Sequence, residues 1–157
     1  MKLLAVTALC SLVFACATSQ PGTSRTASAP GHGAISMTIN PNPVVAHNVS
    51  GTTYDFPFDV IVRETAGHPV TITGVTADVY AIGGLKVGSD TYDAARIKSL
   101  GYATSVPANG ELRYHFAPRR SVADEGLFSG VSAELTVDAT DDTGTATSAK
   151  TTVTVRR

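Results

Sequence analysis

The chain has 157 residues, 43% of them hydrophobic and 16% charged, with a net charge of -1. This is a globular composition rather than a disordered one, and the length suits one domain. With no basic or acidic block, nothing points to an electrostatic partner such as nucleic acid or an anionic membrane surface.

Met1-Lys2 and the apolar run of residues 3–15 give a charged start followed by a short hydrophobic stretch. The run is too short to span a bilayer and reads as a secretory signal, residues 1–15. Val13-Phe14-Ala15-Cys16 resembles the bacterial lipobox, in which a small residue precedes a lipidated cysteine, although Phe14 departs from the small residue usual there. That resemblance makes Cys16 the lipidation site and the membrane a partner through an N-terminal anchor. Ala17 after it then implies transfer to the outer membrane. The competing reading is ordinary cleavage after Ala15-Cys16-Ala17, which leaves a soluble periplasmic or secreted product. Cys10 and Cys16 are the two cysteines, and both fall in or at the signal. The mature fold is therefore expected to hold together without an intrachain disulfide. Residues 16–33, rich in Thr, Ser, Pro and Gly, read as a flexible linker. Residues 34–157 form a domain expected to bury about two-thirds of its unfolded surface.

Residues 34–40 alternate Ile35, Met37 and Ile39 against Ser36, Thr38 and Asn40, which predicts a first strand. Asn40-Pro41-Asn42-Pro43 interrupts it. Proline cannot donate to a ladder, so an edge strand with a break or a change of sheet is expected, resuming over 44–46. Residues 54–64 put Tyr54, Phe56, Phe58, Val60 and Val62 on one face. A turn over 65–69 leads to a long strand over 70–81. There Val70 and Ile72 share one parity, and Val75, Ala77 and Val79 the other. Gly74 sits at the change, which predicts a bulge. Residues 82–102 are the least regular. A helical turn over 92–100 is expected to point Ile97 and Leu100 inward. After a turn at Pro107-Ala108-Asn109-Gly110, Leu112, Tyr114 and Phe116 alternate as a further strand. Residues 118–126 read as a solvated loop in which Arg119 and Arg120 offset Asp124 and Glu125.

The last hairpin is the clearest element. Val131, Ala133, Leu135, Val137 and Ala139 alternate with polar residues, and Asp141-Asp142-Thr143-Gly144 suits a type I turn closed by a left-handed glycine. That loop sets Val137 against Ala149, Leu135 against Thr151 and Ala133 against Val153. A two-residue loop would shift the pairing by one and bring Val153 opposite polar positions.

About seven short strands separated by turns are expected, an all-β, Ig-like antiparallel sandwich. The series Phe58-Asp59-Val60-Ile61-Val62-Arg63-Glu64-Thr65, Val70-Thr71-Ile72-Thr73, Val106-Pro107-Ala108-Asn109-Gly110-Glu111-Leu112 and Val137-Asp138-Ala139-Thr140-Asp141-Asp142-Thr143-Gly144 resembles bacterial Ig-like or fibronectin-III-like domains of cell-surface proteins. The resemblance covers most of the chain after Ala34. It implies a non-catalytic envelope module that meets a protein or a glycan.

Chemistry-bearing residues are sparse. His32, His47, His68 and His115 show no local ligand pair, so they read as surface histidines. Asp138, Asp141 and Asp142 crowd one end of the hairpin and are calcium candidates, although turn-forming hydrogen bonds explain them equally well. Tyr92 and Tyr102 are the candidates for stacking on a sugar. No nucleophile elbow, phosphate loop or metalloprotease spacing is present, so no catalytic residue and no cofactor is expected.

Overall fold

The computed structural model describes Ser24, Arg25 and residues 30–157. The chain runs β1 (Ser24–Arg25), β2 (Ile35–Asn40), β3 (Val44–Val45), β4 (His47–Ser50), β5 (Thr53–Asp55), β6 (Phe58–Glu64), β7 (Val70–Tyr80), β8 (Lys86–Asp93), the helix α1 (Ala94–Ser99), β9 (Ser105–Val106), β10 (Glu111–Phe116), β11 (Arg119–Ser121), β12 (Ser132–Asp141) and β13 (Ala146–Arg156). One sheet has the order β1-β2-β6-β10. A second has the order β3-β13-β12-β7-β8, with β9 also on β7. A small third has the order β11-β5-β4. The protein is all-β and antiparallel except where β3 runs parallel to β13.

The inward residues of the first two sheets share one core. Ile35, Met37, Val60, Val62 and Tyr114 come from the first; Val70, Ile72, Leu135, Val137 and Val153 come from the second. Each is at most 2% exposed. Burying a side chain of this size contributes about 1.5–3 kcal/mol, so this layer is the main source of stability in a domain without a crosslink.

The hairpin register is the one its turn chemistry demands. Ala133 faces Val153, Leu135 faces Thr151 and Val137 faces Ala149. Asp141 N–H donates to the Thr145 carbonyl at 2.9 Å, and Gly144 has φ 86°. Around Gly74 the β7–β12 pairing jumps from Asp138–Gly74 to Ala139–Ile72, leaving Thr73 as the extra residue of a bulge. The proline segment changes sheets as expected. β2 lies on β6, β3 crosses to β13, and β4 returns to β5.

More strand segments exist than the seven expected, because prolines and turns cut longer ribbons. Asp55 faces Arg119 and Phe58 faces Phe116, one register continued across a break. The break falls at Pro57 and Pro118, which have no N–H to give. Phe56 N–H still donates to the Pro118 carbonyl at 3.1 Å.

Two further expectations are corrected. Residues 86–93 form a strand, and the helix begins at Ala94, capped by the Asp93 carboxylate on Arg96 N–H at 2.7 Å. Ile97 is fully buried, but Leu100 is 51% exposed. Leu100 is the C-cap, and the chain reverses at Gly101 with φ 86°, so Leu100 leaves the helical face. Arg119 and Arg120 pair with Asp55 and Asp90 rather than with Asp124 and Glu125, because β11 lies against β5 and near β8. Ser24 and Arg25, inside the stretch read as linker, pair with Met37 and Ser36.

Candidate functional site

Two carboxylates at one end of the fold are buried and saturated with donors. Glu64, the last residue of β6, is 1% exposed. It accepts N–H groups from Ala66 (2.7 Å), Asn109 (2.8 Å), Gly67 (2.9 Å) and Ala34 (3.4 Å). Burial pushes its pKa up, but these four N–H groups together outweigh burial and hold it below the usual carboxylate range. Asp141, the last residue of β12, is 6% exposed. It accepts the Thr143 hydroxyl at 2.6 Å and the N–H groups of Thr145 (2.8 Å), Thr143 (2.9 Å) and Gly33 (3.0 Å). The Thr143 hydroxyl is the largest influence on its pKa. With the backbone donors it outweighs burial and holds the carboxyl far below its ordinary value.

The calcium candidates do not come together as a site. The donors above occupy the Asp141 oxygens, while Asp138 and Asp142 are exposed. Among the described residues no group of three or more His, Cys, Asp or Glu could hold a metal. Nor does His32 form a nucleophile relay. Its Nδ1 lies 3.3 Å from Asp141 and 3.2 Å from the Thr143 hydroxyl, and a relay needs the carboxylate and the nucleophile on different ring nitrogens. Cys16 lies outside the described residues.

Tyr92 and Tyr102 are half-buried and both contact Phe116, with centroids at 4.7 and 6.5 Å. Neither offers a bare platform. The Arg96 guanidinium sits 4.2 Å over the Tyr92 ring. The Tyr102 hydroxyl donates to the His115 carbonyl at 2.9 Å, and its ring meets Tyr114 edge-on at 5.5 Å.

Two surface features were not singled out from the sequence. At the β7–β8 turn, Ile82, Leu85 and Val87 are 71%, 68% and 58% exposed. Gly83 and Gly84 have φ 80° and 79°, which lets the turn project these side chains. β8 beside it is an edge strand, its outer backbone groups unpaired by any other strand among the described residues. At the change of sheet there is a groove of about 310 Å³, walled by Pro41, Val45, Pro57 and Phe58 with His47, Asp59 and His115 at its rim. There Asp59 accepts from His115 Nδ1 at 2.8 Å and from Arg113 at 3.2 Å. Signals for both features were in the sequence. Gly83-Gly84 lies between Ile82 and Leu85, and the paired prolines mark where a strand must leave its neighbour.

No family model and no curated protein matches the chain. Solved structures do. A target of the Northeast Structural Genomics Consortium aligns with a TM-score of 0.53 at 7% identity, covering 82% of this chain and 90% of its own. A Bordetella pertussis protein solved under the name ApaA reaches 0.45 at 10% identity, over 87% of this chain and 98% of its own. A protein from Archaeoglobus fulgidus reaches 0.40 at 11%, over 76% and 99%. The first of these is a likeness of fold alone, and it agrees with an all-β chain.

Proposed function

We propose that this protein is a non-catalytic module of the bacterial cell envelope, exported, held to the membrane through Cys16, and engaged with a partner protein through its β7–β8 hairpin. The observation that carries the reading is the exposed apolar tip of Ile82, Leu85 and Val87 beside the open edge of β8. Apolar side chains clustered on a projecting turn mark an interaction surface, and an open strand edge accepts a further strand. The fold reading that goes with it is the Ig-like one. Setting aside the two-residue β1 and β9, and joining the proline-cut pieces β2 to β4, β5 with β6 and β10 with β11, leaves seven strands. Through β2, β6 and β10 the first, second and fifth share one sheet, and the third, fourth, sixth and seventh lie in the other, which β3 also joins. That layout supports a fibronectin-III-like sandwich.

The test is a photo-crosslinking residue at Leu85, compared with one at Thr76 on the outer polar face, in intact cells. A discrete adduct from Leu85 alone supports the reading, and equal or absent adducts refute it. For the anchor, the mass of the mature N-terminus decides: an acylated Cys16 is expected, and a free chain starting at Thr18 overturns it. A second reading, a small-ligand or glycan module, is favoured by the groove at Pro41 and Phe58. It requires chemical-shift changes at His47 and His115 on adding envelope oligosaccharides.

A further inference from the structure

Residues 32–34 form a strap across the end of the fold, and its successive N–H groups go to opposite sheets. Gly33 N–H reaches Asp141 on β12, and Ala34 N–H reaches Glu64 on β6. The Ala34 carbonyl in turn accepts Thr65 N–H at 2.9 Å. Gly33 has no room for a side chain: an added Cβ would lie 2.6 Å from Val70 Cγ1 and 2.9 Å from Asp141 Cβ. Behind the strap and among the described residues, β2 pairs along its length with β6, its other edge carries the two residues of β1, and its inner face lies against β13. Its far end is cut by Pro41 and Pro43.

We infer that the strap and β2 form a latch, a unit that opens by itself, and that Glu64 and Asp141 decide how often it does. Opening it breaks the β2–β6 ladder, the two β1 pairs and two carboxylate grips, and uncovers Ile35, Met37 and Ile39, but leaves the β13-β12-β7-β8 ladders intact. Its free energy is therefore smaller than that of global unfolding. The inference does not depend on the partner or anchor proposed above.

Native-state hydrogen exchange at increasing denaturant tests it. In the wild type, the β2 amides are expected to exchange faster than those of β12 and β13, with a weaker denaturant dependence. Glu64→Gln should speed β2 exchange roughly 10- to 100-fold, the cost of orphaned buried donors. Gly33→Ala, which pries the strap off Asp141 while keeping both carboxylates in the chain, should do the same. Phe128→Leu weakens the separate cluster of Phe128, Tyr54 and Ala46. It should speed β12 and β13 exchange and leave β2 unchanged. If β2 exchanges together with β12 and β13 in the wild type, or follows them in Phe128→Leu, the latch does not exist. The wild type and Phe128→Leu decide this even if Glu64→Gln fails to fold.

Discussion

Replacing Glu64 by glutamine is the sharpest test of what holds this end of the fold. One Glu64 oxygen takes the N–H groups of Ala34 and Ala66; the other takes those of Gly67 and Asn109. A glutamine has one acceptor oxygen and one amide NH₂, so two N–H donors must face another donor. Each orphaned donor costs about 1–3 kcal/mol if it stays buried. The amide nitrogen will turn toward Gly67 and Asn109, whose hydrogen bonds to Glu64 are part-buried, whereas the one from Ala34 is fully buried. That places the loss near the low end, about 2 kcal/mol, a large share of the 5–15 kcal/mol a domain usually has. Urea unfolding at pH 7 measures it. The pH dependence carries a second check. Glu64 is held below its unfolded pKa in the folded state, so its contribution is complete above about pH 4–5 and is lost as pH falls through the folded value. The gap between wild type and variant should therefore close on acidification, because a protonated Glu64 and a glutamine are both neutral. A variant within 0.5 kcal/mol of wild type at pH 7, or a gap that does not change with pH, refutes the reasoning.

Three other outcomes are expected. Leu135→Ala should lower stability by about 3 kcal/mol in the same unfolding assay, since it opens a cavity between the two sheets where Leu135 is 1% exposed. Gly144→Ala should cost about 1–2 kcal/mol through backbone strain alone, because φ is 86° and an added Cβ meets nothing within 4 Å; a neutral result would mean that the turn adapts. Asp141→Asn should blunt the acid limb of the wild-type stability profile, because Asp141 also has a lowered pKa, and its stabilisation is present at neutral pH and lost as pH falls.

Much of this architecture could be read from residue patterns. The last hairpin was legible because two independent constraints, the Asp141-to-Gly144 turn and the alternation from Val131, allow a single common register. The bulge after Ile72 and the change of sheet at Pro41 and Pro43 were legible because glycine and proline alter backbone hydrogen bonding locally. Leu100 was misplaced because helical spacing says nothing about where the helix stops, and Gly101 ends it one residue too soon. Parity also places the two buried carboxylates. Glu64 follows Tyr54, Phe56, Phe58, Val60 and Val62 on the inward face, and Asp141 follows Val131 to Ala139 in the same way.

An inward carboxylate at a strand end is thus a local fact, written in a period of two. What satisfies it is local only in part. The donors reaching Glu64 come from residues 34, 66, 67 and 109, and Gly33 lies 108 positions from Asp141. The adjacent turn supplies two of the Glu64 donors, strand pairing of β6 with β2 and β10 brings the other two, and the packing of the two sheets brings Gly33 to Asp141, because hydrogen-bond reach is set by distance in space and side-chain alternation by order along the chain.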